Sequence, residues 1–472
     1  MKLLRRVMVL AAAALPAACA IGPDYQRPDK VMPVQEYHGV LSPQQAESYA
    51  DLDWIQAFGD PRLDELIRIA LDNNLDLQIA AARVEEYRGL ARVSRGAMGP
   101  QVRGTGSTVP SAVGDEDASY SLGLALSWEI DLFGKLRRAS EATRALLLAS
   151  EDNARAVMAT LVAEVATTWI ELLDRDAELD IIRRTIKLQE DSLALVQSQN
   201  RNGVASGTEV QQAMSQLATT RAQLPITEQQ RVETENRLRF LLGFPPDHVA
   251  SAGTPGAFPA PPDVPVGLPA QLLTRRPDLR RLENELHSAT AGVGVAQASR
   301  FPYLSIALTS FFGLVSPELA RLFDGKDPAQ ELFAIGPAFD MPIYTSGVGK
   351  GNVEAARARA RQAELAYRQG VLQSLREVSD SLSAQVRLGE FIAHNEERVA
   401  SSRELLRLQQ MRYRSGVVSY LEVIDAERQL FAAEVDLVRA RRDRLVAYVL
   451  LYRALGGGWS QPEIDRLLSA TK

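Results

Sequence analysis

Tyr120-Ser121-Leu122-Gly123-Leu124-Ala125-Leu126-Ser127-Trp128 stands just ahead of a helical pattern that begins at Lys135. In the nine-residue stretch every even position is large and apolar, and every odd one is small or polar. That is the period of a strand with one greasy face. The following pattern predicts a helix from Lys135 to about Arg201, roughly 100 Å long at 1.5 Å per residue. No compact globular domain needs such a helix. It breaks at Gly203 and returns as a second helix to Gly243. Upstream, the apolar spacing of Leu63, Leu66, Ile67, Ala70 and Leu71 predicts one helix over 62–97. Pro61 opens it and Gly99-Pro100 closes it. Gln101 to Thr108 reads as a weaker partner strand.

The whole pattern occurs twice. Asp76-Leu77 matches Asp278-Leu279 and Pro100 matches Pro302, at an offset of 202. Trp128-Glu129-Ile130 faces Phe339-Asp340-Met341 at 211, and from Gly134 to Gly347 onward the offset is 213. At that offset Glu141-Ala142 matches Glu354-Ala355, Gly203-Val204 matches Gly416-Val417, Ser206 matches Ser419, and Leu242-Gly243 matches Leu455-Gly456. A constant offset without gaps fits continuous helices whose register matters. A period above 200 excludes small solenoid repeats. The second half therefore predicts a helix from Val348 to about Arg414, a turn at Gly416 and a return helix to Gly456. It also predicts two strands. In one, Leu304, Ile306, Leu308 and Phe312 alternate with Tyr303, Ser305, Ala307 and Thr309. In the other, Phe333, Ile335, Phe339, Met341 and Ile343 do so, with Pro337 interrupting.

The return helices carry a heptad seam. Val210, Leu217, Leu224 and Leu238 recur at multiples of seven, and Val423, Leu430, Leu437 and Leu451 repeat them. Arginine breaks both seams at one register, Arg231 and Arg444. Strict sevens imply coiled-coil packing. Pro225 is expected to interrupt the first return helix. Nine of the chain's 24 prolines lie between Gly243 and Pro277, which marks an extended connector. The organisation is then a signal peptide at 1–18 and an N-terminal extended segment at 19–60. The first repeat covers 61–243, the connector 244–276, the second repeat 277–456 and a tail 457–472.

Composition narrows the function. The 472 residues carry a net charge of −6, with 46% hydrophobic residues and a single cysteine. Global disorder, a disulfide framework and a multi-cysteine metal site are excluded. A pI near 5.6 argues against wholesale nucleic-acid binding. Aromatics are few, which fits elongated helix packing filled by Leu and Ala. Past the N-terminus no run of about 18 predominantly apolar residues is recognised, so helical membrane spans are not expected.

Lys2, Arg5 and Arg6 precede the apolar stretch Val7–Ala18, the make-up of a secretory signal. Cys19 closes it as Leu15-Pro16-Ala17-Ala18-Cys19. This resembles a bacterial lipobox, with Pro16 where Leu is usual. Ala18-Cys19-Ala20 is also an Ala-x-Ala site, whose cleavage leaves no lipid. Loss of 1–18 takes the charge from −6 to −9.

Four strands cannot close a barrel, since membrane barrels begin at about eight strands. An open sheet with one apolar face leaves two unpaired edges. Either it packs on a helix, or several chains each donate four strands. Trp128, Phe133, Phe339 and Tyr344 near the strand ends fit a lipid-facing band.

Two stretches together, Ile21-Gly22-Pro23-Asp24-Tyr25-Gln26-Arg27-Pro28 and Ser127-Trp128-Glu129-Ile130-Asp131-Leu132-Phe133-Gly134-Lys135-Leu136-Arg137-Arg138, resemble the hallmarks of the NodT/OprM-type efflux lipoproteins of the TolC-like outer membrane factor family. The resemblance covers essentially the whole mature chain. It implies a mainly α fold in which three chains share a 12-stranded transmembrane barrel continuous with a periplasmic α-helical barrel. It implies lipidation (palmitate) at Cys19 and a position in the outer membrane. It implies a passive exit duct of a tripartite pump. The partners would be a periplasmic adaptor (membrane fusion) protein and an inner-membrane transporter of RND type. Carried over by motif, the adaptor-contacting tips are Gly203, Val204, Ala205, Gly416, Val417 and Val418. The aperture is gated by Glu422 and Asp425, whose rings of like charge would repel anions, and braced by Glu209 and Tyr413. Gln212 stands where relatives often carry a second carboxylate.

No enzyme is read from the residues. The four histidines are scattered, and Cys19 lies in the address segment, so no Cys–His nucleophile forms. Gly347-Val348-Gly349-Lys350-Gly351 lacks phosphate-loop spacing. No cofactor or metal is implied. A pore-less periplasmic coiled-coil scaffold and a protein-secretion duct remain as alternatives.

Overall fold

The computed structural model describes residues 20–28, 60–109, 119–248, 275–300, 307–316, 319–322, 330–338, 344–459, 462 and 464–466. In chain order the elements are α1 (Pro61–Asn73), α2 (Leu75–Gly96), β1 (Gln101–Val109), β2 (Ser119–Ser127), α3 (Lys135–Arg201) and α4 (Gly207–Leu241). The second half follows with α5 (Pro277–Ala298), β3 (Ala307–Ser316), β4 (Gln330–Ala338), α6 (Val348–Arg414) and α7 (Tyr420–Ala454). Both long helices have 67 residues, and both return helices have 35. The chain forms two compact units, each drawing on both halves of the duplication.

One unit holds the sheet, Ala82–Asp152 and Leu279–Gly370. The sheet is an antiparallel meander in the order β1-β2-β3-β4. Its register sets Gly104 opposite Leu124 and Leu124 opposite Phe312, while Thr105 faces Gly123 and Gly123 faces Gly313. Leu122 and Leu124 are 45% and 53% exposed. On the other face Ser107 and Ser121 share a hydrogen bond of 2.8 Å. The alternation read from the sequence is thus a physical two-faced sheet. Pro337 does not interrupt its strand: it pairs with Leu308 inside β4. Phe339, Met341 and Ile343 lie outside the described residues.

The other unit holds the helical hairpins α3/α4 and α6/α7 beyond Asp152 and Gly370. In α4 the inward positions run 213, 217, 220, 224, 227, 231, 234, 238 and 241, alternating four and three. This is the a/d seam of a coiled coil. Leucine or arginine fills one of its two registers. The other register holds Ala213, Thr220, Thr227, Thr234 and Leu241, all buried. In α7 the equivalent residues are Ala426, Ala433, Ala440, Ala447 and Ala454, again all buried. Small side chains let the helices approach closely. Ala433 and Ala440 pack with Ile392 and Val399 of α6. The threonine hydroxyls are satisfied within their own helix: Thr220, Thr227 and Thr234 donate to the carbonyls of Gln216, Gln223 and Gln230.

Three further sequence expectations change. Residues 62–97 are two helices, because Asn74 is extended (ψ 127°) between them. Its Oδ1 caps α2 by accepting from Leu77 N at 3.0 Å, and its Nδ2 donates to Leu241 O at 3.0 Å. Pro225 does not interrupt α4, which runs through it; the seam is packed on either side, at Leu217 and Leu238. Finally, α3 does contain an 18-residue window apolar enough to cross a membrane. It is mostly buried inside the hairpin unit, where Met158, Leu161, Val162, Val165, Trp169, Ile170 and Leu172 form core.

Candidate functional site

The two quoted motifs touch. Ile21 N donates to Phe133 O at 3.1 Å. Arg138, 5% exposed, reaches Asp24 at 2.5 Å and Glu141 at 2.8 Å. Tyr25 donates to Glu283 at 3.1 Å and stacks on His287, with ring centroids 4.7 Å apart. Arg27 also pairs with Glu283, and His287 with Glu141. Burial, reinforced by the Glu283 charge, pushes the Tyr25 phenol up. Arg138 and His287 hold Glu141 below the usual carboxylate range, outweighing the opposing effect of burial. Gly22 crosses α5 at Gly294, where a Cβ on Gly22 would stand 2.4 Å from Gly294 Cα. The segment after the signal is therefore clasped onto α3 and α5. Cys19 itself lies outside the described residues.

The hairpin ends form the second constellation. Gly203 and Gly416 sit at φ 72° and 71°, which glycine takes cheaply. In each, the residue after the glycine donates back into the helix, Val204 to Gln199 O and Val417 to Arg412 O, both at 2.9 Å. This is a Schellman stop. Val204 and Val417 project, 76% and 65% exposed. Ala205 is buried and Val418 packs inward, both against a core of Val196, Leu406, Tyr413, Tyr420, Val423 and Ile424.

Of the bracing residues, Glu209 does two jobs. Its Oε2 accepts from Ser206 N at 2.7 Å, completing a capping box with the Ser206 hydroxyl. Its Oε1 accepts from Tyr420 N at 3.4 Å, so it ties α4 to the start of α7. Tyr413 lies against Tyr420, with centroids 5.2 Å apart. Burial and the Glu209 charge raise its pKa. The equivalent Ser419 makes no side-chain cap. Glu422 and Asp425 are exposed, and Asp425 accepts from Gln429 at 3.5 Å. The structure thus brings Glu209 and Tyr413 into one cluster and leaves Glu422 and Asp425 on the surface of α7.

Against known proteins, the profile of the outer membrane efflux protein family matches residues 66–244 and 268–457. The chain belongs to this family. The toluene efflux pump outer membrane protein TtgF of Pseudomonas putida is 35% identical over 470 residues, covering 94% of this chain and 96% of TtgF. The probable outer membrane lipoprotein SilC of Salmonella typhimurium is 35% identical over 450 residues, with the same coverage. The open-state structure of the Neisseria gonorrhoeae MtrE outer membrane channel superposes with a TM-score of 0.82 at 31% identity, covering 93% of this chain and 98% of that one. This efflux protein is accordingly an outer membrane channel component, built on the fold that the resemblance implied.

Sequence reasoning passed over several residues that shape its hairpin ends. Ser206 carried a legible signal, a serine three residues before Glu209. Tyr420 carried none, since its role depends on residues from four helices. Across the hairpins, Glu178 meets Arg439 at 2.6 Å and Asp174 meets Arg442 at 2.9 Å. These pairs are more than 260 residues apart in sequence and invisible to spacing.

Proposed function

We propose that this outer membrane efflux protein is the passive exit duct of a tripartite pump. Three copies close one 12-stranded barrel, β4 of one chain pairing with β1 of the next. A periplasmic adaptor docks on the hairpin ends, and an RND-type inner-membrane transporter supplies the energy, so the duct itself performs no catalytic step. The observation that carries the reading is the sheet: four strands, two open edges, exposed leucines on one face and serines on the other. A coiled-coil scaffold has no use for such a sheet. Acylation of Cys19 fixes the clasped N-terminal segment at the membrane surface, as the lipoprotein relative SilC also favours.

At the tips, Val204 and Val417 are the apolar contacts for the adaptor, with Gly203, Ala205, Gly416 and Val418 shaping the turns. Glu209 and Tyr413 hold the closed arrangement. Glu422 and Asp425, exposed and free to point toward an axis, form the charged constriction. The test is the current carried by purified protein in planar bilayers, with its mass in detergent measured in parallel. A trimer with discrete conductance is expected; a monomer without current would overturn the reading. Substitution of Glu422 and Asp425 by alanine should raise the open probability.

A further inference from the structure

Five carboxylates are buried among the described residues: Asp152, Asp174, Glu178, Glu235 and Glu427. Four have an arginine close by. Arg280 reaches Asp152, Arg442 reaches Asp174, Arg439 reaches Glu178, and Arg231 reaches Glu235, all within 3.1 Å. Glu427 has none. It lies on α7, 2% exposed, two turns beyond Tyr420. Ser192 of α3 donates to its Oε1 at 3.3 Å, and its Oε2 has no hydrogen-bond partner among the described residues.

Among the described residues the surroundings offer no counter-charge. From α3 come Ser192 and the buried amide of Gln189, while Glu190 and Asp191 are engaged by Arg221 and Lys187 on the exposed side. On α4, Gln216 holds the neighbouring Arg428 guanidinium at 2.7 Å, and Glu209 reaches Tyr420 N. From α7 itself comes Tyr420, whose phenol burial and the Glu427 charge push up, and Tyr413 of α6 lies against Tyr420. The position equivalent to Glu427 in the first repeat is Met214, which is 46% exposed. A buried carboxyl without a cation is costly when ionised. Burial, partly offset by Ser192 and Gln189, pushes this one up to about 7.

We propose that Glu427 is a proton-operated latch: as the neutral acid it lets α7 pack on α3 and holds the hairpin end shut, and on ionising it forces the two helices apart. The inference rests on the reading of the hairpin ends as the aperture. The packed state binds the extra proton, so its advantage is complete at acid pH. Across the window from the ordinary value of 4.5 to about 7 it falls by up to tenfold per pH unit, and it is flat above.

The test is the separation of spin labels at Val204→Cys and Val417→Cys in the full-length protein, followed from about pH 5 to about pH 8, with bilayer conductance as a second readout. The separation should grow as pH rises. Glu427→Gln, a neutral isostere, should stay at the short distance throughout. Ser192→Ala removes a donor to the ionised form and should move the transition to higher pH. A wild-type distance that ignores pH, or a Glu427→Gln protein that responds like wild type, overturns the latch. Should Glu427→Gln not fold, an unmoved midpoint in Ser192→Ala overturns it equally. If the tips respond but no current passes, the latch stands and the channel reading falls.

Discussion

Gly294 is the residue on which the N-terminal clasp depends most directly. A Cβ there would lie 2.8 Å from Ile21 O and 3.0 Å from Arg138 Cγ. The first is backbone and cannot swing away. Gly294→Ala should therefore lift the segment and destabilise the protein by about 1–3 kcal/mol, read as a lowered melting temperature and faster protease release of the N-terminal residues. Tyr25→Phe removes one hydrogen bond but keeps the stack on His287, and should cost only about 1 kcal/mol. A melting temperature unchanged by Gly294→Ala would show that the close crossing is relieved elsewhere. The motif Ile21–Pro28 was legible as a family signature. What it does was not, because Tyr25 and Glu283 are 258 residues apart and no local periodicity joins them.

At the scale of the element, the sevens of leucine were plain in both return helices, and so were the arginines that break them. The second register escaped notice because alanine and threonine do not stand out as core. It is the small register that sets the helix spacing, and it separates the two halves: threonines in α4, alanines in α7. The arginines diverge as well. Arg231 pairs with Asp176 at 2.5 Å. The position equivalent to Asp176 is Gly389, where a Cβ would sit 3.7 Å from the Arg444 guanidinium carbon, and Arg444 Nε has no hydrogen-bond partner among the described residues. Gly389→Asp should restore the ion pair and also remove a helix glycine. A gain of about 1–2 kcal/mol is expected, with Gly389→Asn, the neutral isostere, giving only the helix part. Equal melting temperatures for the aspartate and asparagine variants would refute the ion-pair contribution. Pro225→Ala restores one helical hydrogen bond and should also stabilise, by up to about 3 kcal/mol. Thr227→Val should change little, since the Thr227 hydroxyl only bonds back to its own helix.

For the molecule as a whole, the strand count was the most informative quantity, because four strands with one apolar face are incomplete alone. The alternation that revealed them depends on period two, which survives in a single sequence. The closing of the edges leaves no such trace, since it depends on a second copy. The two faces of β2 nonetheless make opposite predictions. Leu124 is 53% exposed on the apolar face, and lipid would cover it in the closed barrel. Leu124→Arg should cost about 2–4 kcal/mol near the bilayer midplane, and should deplete heat-labile trimer in outer membrane fractions. Ser121 lies on the opposite face, hydrogen-bonded to Ser107, where water would fill the lumen. Ser121→Arg should assemble normally and shift ion selectivity toward anions. Each substitution adds the same charge to the same strand, so only the surrounding medium can separate their effects. If both assemble alike, lipid does not contact the leucine face, and the shared barrel would have to be abandoned for a sheet packed against protein.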